Sequence, residues 1–143
     1  MRDNPHGQIR FSVPSSLKAL DDLCECVGER LERSGLSDRC FAVELLLREF
    51  AGNAMVHGNG LDHQKSIQVS LRIGTKWITL TVEDEGRGFD WRGRDRSPPC
   101  DTATSGRGLA IGALYAGRVR FNRAGNRVTL WILKEVGKEN QHA

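Results

Sequence analysis

Hydrophobic and polar positions along this chain switch between two periods, and the switches mark out the elements. Gln8-Ile9-Arg10-Phe11-Ser12-Val13 alternates and reads as a strand, which Pro14 ends by leading into a helix. That helix carries Leu17, Leu20, Cys24, Val27 and Leu31 on one stripe. After Gly35 a second helical pattern runs from about Ser37 to about Gly58, with Val43, Leu47, Phe50 and Ala54 as its apolar stripe. Period two then returns. Ile67, Val69, Leu71 and Ile73 alternate, a tight turn falls near Gly74-Thr75, and Trp77 to Asp84 forms the next strand with Ile78, Leu80 and Val82 on one face. A long polar segment follows, then a short helix to about Ala116. The chain closes with a strand pair near Arg118 to Arg123 and Arg127 to Leu133, broken at Ala124-Gly125-Asn126 as a hairpin turn. This order predicts an α/β (α+β) two-layer sandwich, a largely antiparallel mixed sheet with helices packed on one face.

Composition narrows the picture modestly. The 143 residues suit one domain, 1–143, large enough to bury a core without disulfide support, with the ordered part spanning about 8–134 and a disordered tail at 135–143. Lys and Arg number 21 against 18 Asp and Glu, and the resulting net charge of +3 is interleaved along the chain, so the sequence shows no electrostatic footprint for nucleic acid. The 4 cysteines make no ligand set: Cys24 and Cys26 point to different faces of a helix, while Cys40 and Cys100 stand alone. They read as core or free thiols of a cytoplasmic protein. No long apolar run at the N-terminus argues for a signal peptide or a membrane span.

Candidate chemistry gathers in three stretches. In the Trp77 strand the alternation puts Asp84 on the apolar face, where an unpaired carboxylate costs several kcal/mol, roughly, unless a donor satisfies it. An arginine, a nest of backbone N–H groups or the exocyclic amine of a bound purine would each serve. The glycines after it, Gly86 and Gly88, favour the purine, because they let a flat ligand approach the backbone closely. In the second helix Glu49, Asn53 and His57 step by four along a line beside the apolar stripe, at the rim of the core. A carboxylate and a carboxamide one turn apart suit a site in which the acid handles a proton and the amide oxygen holds a hard cation such as Mg²⁺. The plainer reading is an i, i+4 hydrogen bond on a helix rim. His57 is expected to pack near the helix end, where Gly58 serves as the left-handed stop.

The third stretch, Thr104-Ser105-Gly106-Arg107-Gly108-Leu109-Ala110-Ile111-Gly112, reads as a loop opening into a helix whose free N–H groups favour phosphate oxygens. Trp91 to Ser105 before it is long, polar and rich in Arg, Asp and Pro, the composition of a lid or binding loop, at about 91–107. Arg107, and behind it Arg92, Arg94 and Arg96, are its candidate phosphate contacts.

Taken in order, Glu49 to Gly58, Asp84 to Asp90 and Gly106 to Gly112 resemble the N, G1 and G2 boxes of the Bergerat-fold ATPases, the superfamily of gyrase-type topoisomerases, heat-shock chaperones, histidine kinases and mismatch-repair ATPases. The resemblance is closest to the small anti-sigma-factor serine/threonine kinases. Gln8 to Pro14, Asn53-Ala54-Met55-Val56-His57-Gly58 and the ending Val119 to Leu130 also look like that branch. It implies that Glu49 is the general base, that Asn53 binds Mg²⁺, and that Asp84 contacts the adenine amine. Gly86, Gly88, Gly106, Arg107, Gly108 and Leu109 would frame the nucleotide.

Length chooses among branches. About forty residues precede the Glu49 helix, too few for the phosphoacceptor hairpin of a histidine kinase, and little follows the last strand, which leaves a stand-alone module. The expected activity is phosphoryl transfer from ATP, with Mg²⁺, to a serine of an anti-sigma-factor antagonist. A sigma factor would compete for the kinase, itself a homodimer, with neither nucleic acid nor membrane bound directly. The rival readings are a non-catalytic ATP-binding module that sequesters a partner, and a simple ATPase. Ala110, where the superfamily often has another glycine, and the Pro98-Pro99 pair bear on lid closure.

Overall fold

The computed structural model describes residues 2–3 (as backbone), 7–86 and 115–135. Strands β1 (Arg2–Asp3) and β2 (Gln8–Pro14) are followed by helix α1 (Leu17–Arg33), a 3-10 turn at Ser37–Arg39 and helix α2 (Cys40–Asn53). The α2 run continues without a break into a π-helical turn at Ala54–Gly58. Strands β3 (Ser66–Ile73), β4 (Trp77–Glu83), β5 (Arg118–Phe121) and β6 (Arg127–Leu133) complete the described chain.

Local chemistry explains these boundaries. Ser16, in extended conformation, caps α1 by accepting the Ala19 N–H on its Oγ at 3.1 Å, and Arg30 and Arg33 in the last turn oppose the carbonyl end of the helix dipole. The helix stops in a Schellman motif: Leu36 N–H reaches Leu31 O at 2.8 Å, Gly35 N–H reaches Glu32 O at 3.1 Å, and Gly35 takes φ +74°. Leu20, Leu23, Cys24, Val27 and Leu31 are its buried residues. Leu17, expected on that stripe, is 64% exposed and Leu23 lies in the core instead. Helical side chains lean toward the N-terminus, so at the first helical position Leu17 projects past the packed layer.

The six strands order β1-β2-β3-β4-β6-β5, and all their pairings are antiparallel. The inward rows Ile9 and Val13, Ile67, Val69 and Leu71, Ile78, Leu80 and Val82, and Val128, Leu130 and Ile132 are buried against α1 and α2. From α2 come Val43, Leu46, Leu47, Phe50 and Ala51. The result is the expected two-layer α+β sandwich with both helices on one face. Register matters for the site. Glu83 lies opposite Arg127, which sets the end of β4 beside the start of β6.

Candidate nucleotide site

The π turn shapes one wall of the site. Asn59 N–H bonds Ala54 O at 2.9 Å, and the chain leaves the helix only at Gly60 and Leu61, both left-handed at φ +63° and +54°. Gly58 is therefore not the left-handed stop that the sequence suggests. Its lack of a side chain is needed for another reason: a Cβ there would collide with the Asp84 carboxylate. A Cβ on Gly86 would likewise strike the Gly58 carbonyl oxygen. Two bare backbones thus flank one acid, a close approach that only glycines permit.

Asp84 sits just past β4 on the helix side of the sheet, as the alternation predicted. Its N–H donates to Asn126 O at 2.9 Å, and its Oδ1 accepts the Gly86 N–H at 2.7 Å. Its Oδ2 has no partner among the described residues. Desolvation raises its pKa above the ordinary aspartate value, the Gly86 N–H offsets part of this, and Glu83 adds a small push upward. A half-buried carboxylate with one open oxygen suits a neutral N–H donor such as an exocyclic amine.

Asn59 ties this corner together and is 3% exposed. Its Nδ2 donates to Ser15 Oγ at 3.0 Å and to Ser66 O at 3.1 Å, and its Oδ1 accepts the Glu85 N–H at 2.9 Å. Ser15, fully buried, donates through both N–H and Oγ to Lys65 O. The exposed Glu85 adds a further tie, accepting the Ser66 N–H on Oε2 at 2.6 Å. On the other side Asn126 Nδ2 lies 3.4 Å from Asp84 O, and Asn122 Nδ2 donates to Asn126 Oδ1 at 2.8 Å. Sequence reasoning missed Asn59 and Asn126 as site supports. The available signal was an asparagine beside a glycine in Gly58-Asn59-Gly60 and again in Gly125-Asn126.

Glu49 and Asn53 lie half-buried on α2, with Asn53 Nδ2 3.5 Å from Glu49 Oε1. That separation is at the outer limit of a hydrogen bond and leaves the pair loosely held. With its amide nitrogen turned to Glu49, Asn53 keeps Oδ1 free of described partners, a hard oxygen available to Mg²⁺. Among the described residues there is no cluster of three or more His, Cys, Asp and Glu that could hold a metal, and an ion at Asn53 would take water or phosphate oxygens besides. By helical rise Glu49 stands roughly 13 Å along the axis from Gly58, a separation suited to a ligand with a base at one end and phosphates at the other. His57 is exposed. Gly88, Gly106, Arg107, Gly108 and Leu109, the lid at about 91–107 and almost all of the tail lie outside the described residues.

Residues 13–132 match the model of the histidine kinase-like ATPase domain, and the chain belongs to that family. It is thereby an ATP-binding module of the regulatory or kinase kind, and its sheet and helices have the arrangement of that fold. Comparison with curated proteins gives no match. No described helix is long and apolar enough to cross a membrane.

Proposed function

We propose that this chain is a serine/threonine protein kinase of the anti-sigma-factor type, transferring the γ-phosphoryl group of ATP to a serine of an antagonist protein. The observation that carries this reading is the Glu49 carboxylate one helical turn from an Asn53 amide whose oxygen has no partner among the described residues, on the same helical run that ends against Asp84. A purely sequestering module has no need of an acid at that place.

Asp84 Oδ2 accepts a hydrogen bond from the adenine amine, and Gly58 and Gly86 leave room for the ring. Asn53 Oδ1, together with phosphate oxygens, would hold Mg²⁺, which supplies charge neutralisation when bound. Glu49 accepts the proton of the serine hydroxyl as its oxygen bonds to the γ-phosphorus. The bond from that phosphorus to the bridging oxygen breaks, and ADP leaves. Positioning and electrostatics supply most of the acceleration in such transfers. The antagonist is the acceptor, a sigma factor competes for the same kinase, and the working unit is a cytoplasmic homodimer.

The test is transfer from γ-labelled ATP with Mg²⁺ to candidate antagonist proteins, with Glu49→Ala as control. Label on a serine of one candidate, absent with the variant, supports the kinase. Phosphate release to water in every mixture supports an ATPase, and tight ATP binding with neither outcome supports a sequestering module.

A further inference from the structure

The interleaved charge of the sequence separates in space. Along β2 to β6 the basic residues are Arg10, Arg72, Arg118, Arg120 and Arg127, and the only acid is Glu83. Alternation places all of them on the face turned away from the helices, since Ile9, Leu71, Val119 and Val128 beside them face the core. The acids Asp21, Asp22, Glu25, Glu29 and Glu32 lie instead on α1, in the opposite layer. The five arginines are exposed, and the described ion pairs, Lys18–Asp22 and Arg48 with Asp21 and Glu44, involve none of them. A modest net charge therefore conceals a strongly basic sheet face.

The face has a focus at the β5–β6 hairpin. A concavity of about 500 Å³ is lined by Arg120, Arg123, Arg127, Asn122, Thr129 and Trp131, among others. Arg118 and Arg120 are two residues apart on one strand, so their side chains leave the backbone about 7 Å apart on the same face, the repeat of alternate positions in an extended chain. Guanidinium forks pair with carboxylates in a bidentate manner, and a concave basic surface with few counter-charges favours an anionic partner.

We propose that this face docks an acidic polypeptide segment, extended and with Asp or Glu at alternate positions, independently of the nucleotide. Single-stranded nucleic acid would need open aromatic platforms. Here the Arg118 guanidinium covers the Trp131 ring at 5.3 Å and Lys76 lies 5.7 Å over Trp77. Among the described residues the same covering leaves no bare aromatic side chain on this sheet face to enter a membrane. A second copy packed face to face would set like charges together.

The test measures fluorescence anisotropy of a labelled peptide of alternating Glu and Ser, with its Gln-for-Glu counterpart and an oligo-deoxythymidine of equal charge as comparisons. The protein is the full chain, as wild type, as Arg120→Glu/Arg127→Glu, and as Lys18→Glu/Arg33→Glu, which changes net charge equally on α1. The acidic peptide is expected to bind wild type and the α1 variant alike and the hairpin variant about tenfold or more weakly, with salt weakening all binding. The Gln peptide should not bind. ATP binding, followed in parallel, should be the same in all three proteins, because the candidate nucleotide site is on the other side of the sheet. Melting curves check that both variants are folded at the assay temperature, even though reversing charges at Arg33 and opposite Glu83 lowers stability somewhat. Equal weakening in both variants, absence of peptide binding, tighter binding of the oligonucleotide, or self-association abolished by the hairpin substitutions would each overturn the proposal.

Discussion

Gly58 and Asp84 share one volume: the Asp84 carboxylate fills the space that a side chain on residue 58 would occupy. With the Asp84 carboxylate in this position, the end of the α2 run and the end of β4 meet without collision because residue 58 has no Cβ. The contact joins the helix bearing Glu49 and Asn53 to the acid expected to read the base.

Gly58→Ala should therefore injure the site more than the fold. The obstacle is the tip of a short side chain, which can rotate away, so the stability cost should stay near 1 kcal/mol while ATP affinity falls about tenfold or more. Gly86→Ala meets a backbone carbonyl that cannot swing aside, and a larger loss of about 1–3 kcal/mol is expected. Gly28→Ala is the control. Its Cβ would meet nothing within 4 Å, and a mid-helix alanine should stabilise by about 0.5–1 kcal/mol with ATP binding unchanged. Urea titration and calorimetric ATP binding on the three variants separate these effects.

Asp84 gives a pH signature. Its folded-state pKa is raised by desolvation, so the unfolded chain releases this proton more readily than the folded one. The resulting stability penalty is absent below the unfolded value of about 4, grows as pH rises toward the folded value, and is constant above it. Asp84→Asn keeps an oxygen for the Gly86 N–H but has no charge to desolvate. Without nucleotide it should be at least as stable as wild type at neutral pH, with the difference closing in acid. Its ATP affinity should fall about tenfold to a hundredfold, the value of one hydrogen bond to a charged group. Melting curves across pH, with and without ATP, check both halves, and a variant less stable than wild type at neutral pH would contradict the first.

These residues show what the sequence made legible and what it hid. Alternation located Asp84 on the inward face because the strand period is local and a charged residue on the apolar side stands out. Spacing by four found Glu49 and Asn53 for the same kind of reason. Gly58 was recognised as special but given the wrong role, since a left-handed stop is a local property whereas the collision with Asp84 is tertiary. Leu17 was misplaced because periodicity does not know where the packed layer ends. Asn59 and Asn126 carry no periodic signature, and only the fold brings them beside Glu85 and Asp84. The segregation of arginines to one sheet face was invisible in a count of charges.

Asn59 should be among the most sensitive polar positions outside the chemistry. Replacing it with Ala removes the acceptor of the Glu85 N–H and the donors to Ser15 Oγ and Ser66 O, in a pocket that excludes most water. A loss of about 2–4 kcal/mol is expected. Asn59→Asp should be no better, because it keeps the acceptor but loses both donors and buries a charge. Denaturant unfolding measures this directly. A cost below about 0.5 kcal/mol, the ordinary surface value, would show that the network does not hold the corner.

Glu49 decides whether the site is catalytic. Its carboxylate has one loose contact, Asn53 Nδ2 at 3.5 Å, and no other described partner, so little structure depends on it. Glu49→Gln keeps shape and hydrogen-bonding capacity but cannot take a proton. If the carboxylate accepts the serine proton, phosphotransfer should fall about a hundredfold or more while ATP affinity and melting temperature stay near wild type. A helix-rim residue with no chemical role gives the opposite pattern, because losing a weak i, i+4 contact shifts stability by about 0.5 kcal/mol or less and leaves the rate unchanged. Asn53→Ala refines the assignment. If its Oδ1 binds Mg²⁺, this variant should need more Mg²⁺ to reach the same rate, and Glu49→Gln should not. Single-turnover transfer measured across a Mg²⁺ series for both variants distinguishes a proton acceptor from a metal ligand on the same helix.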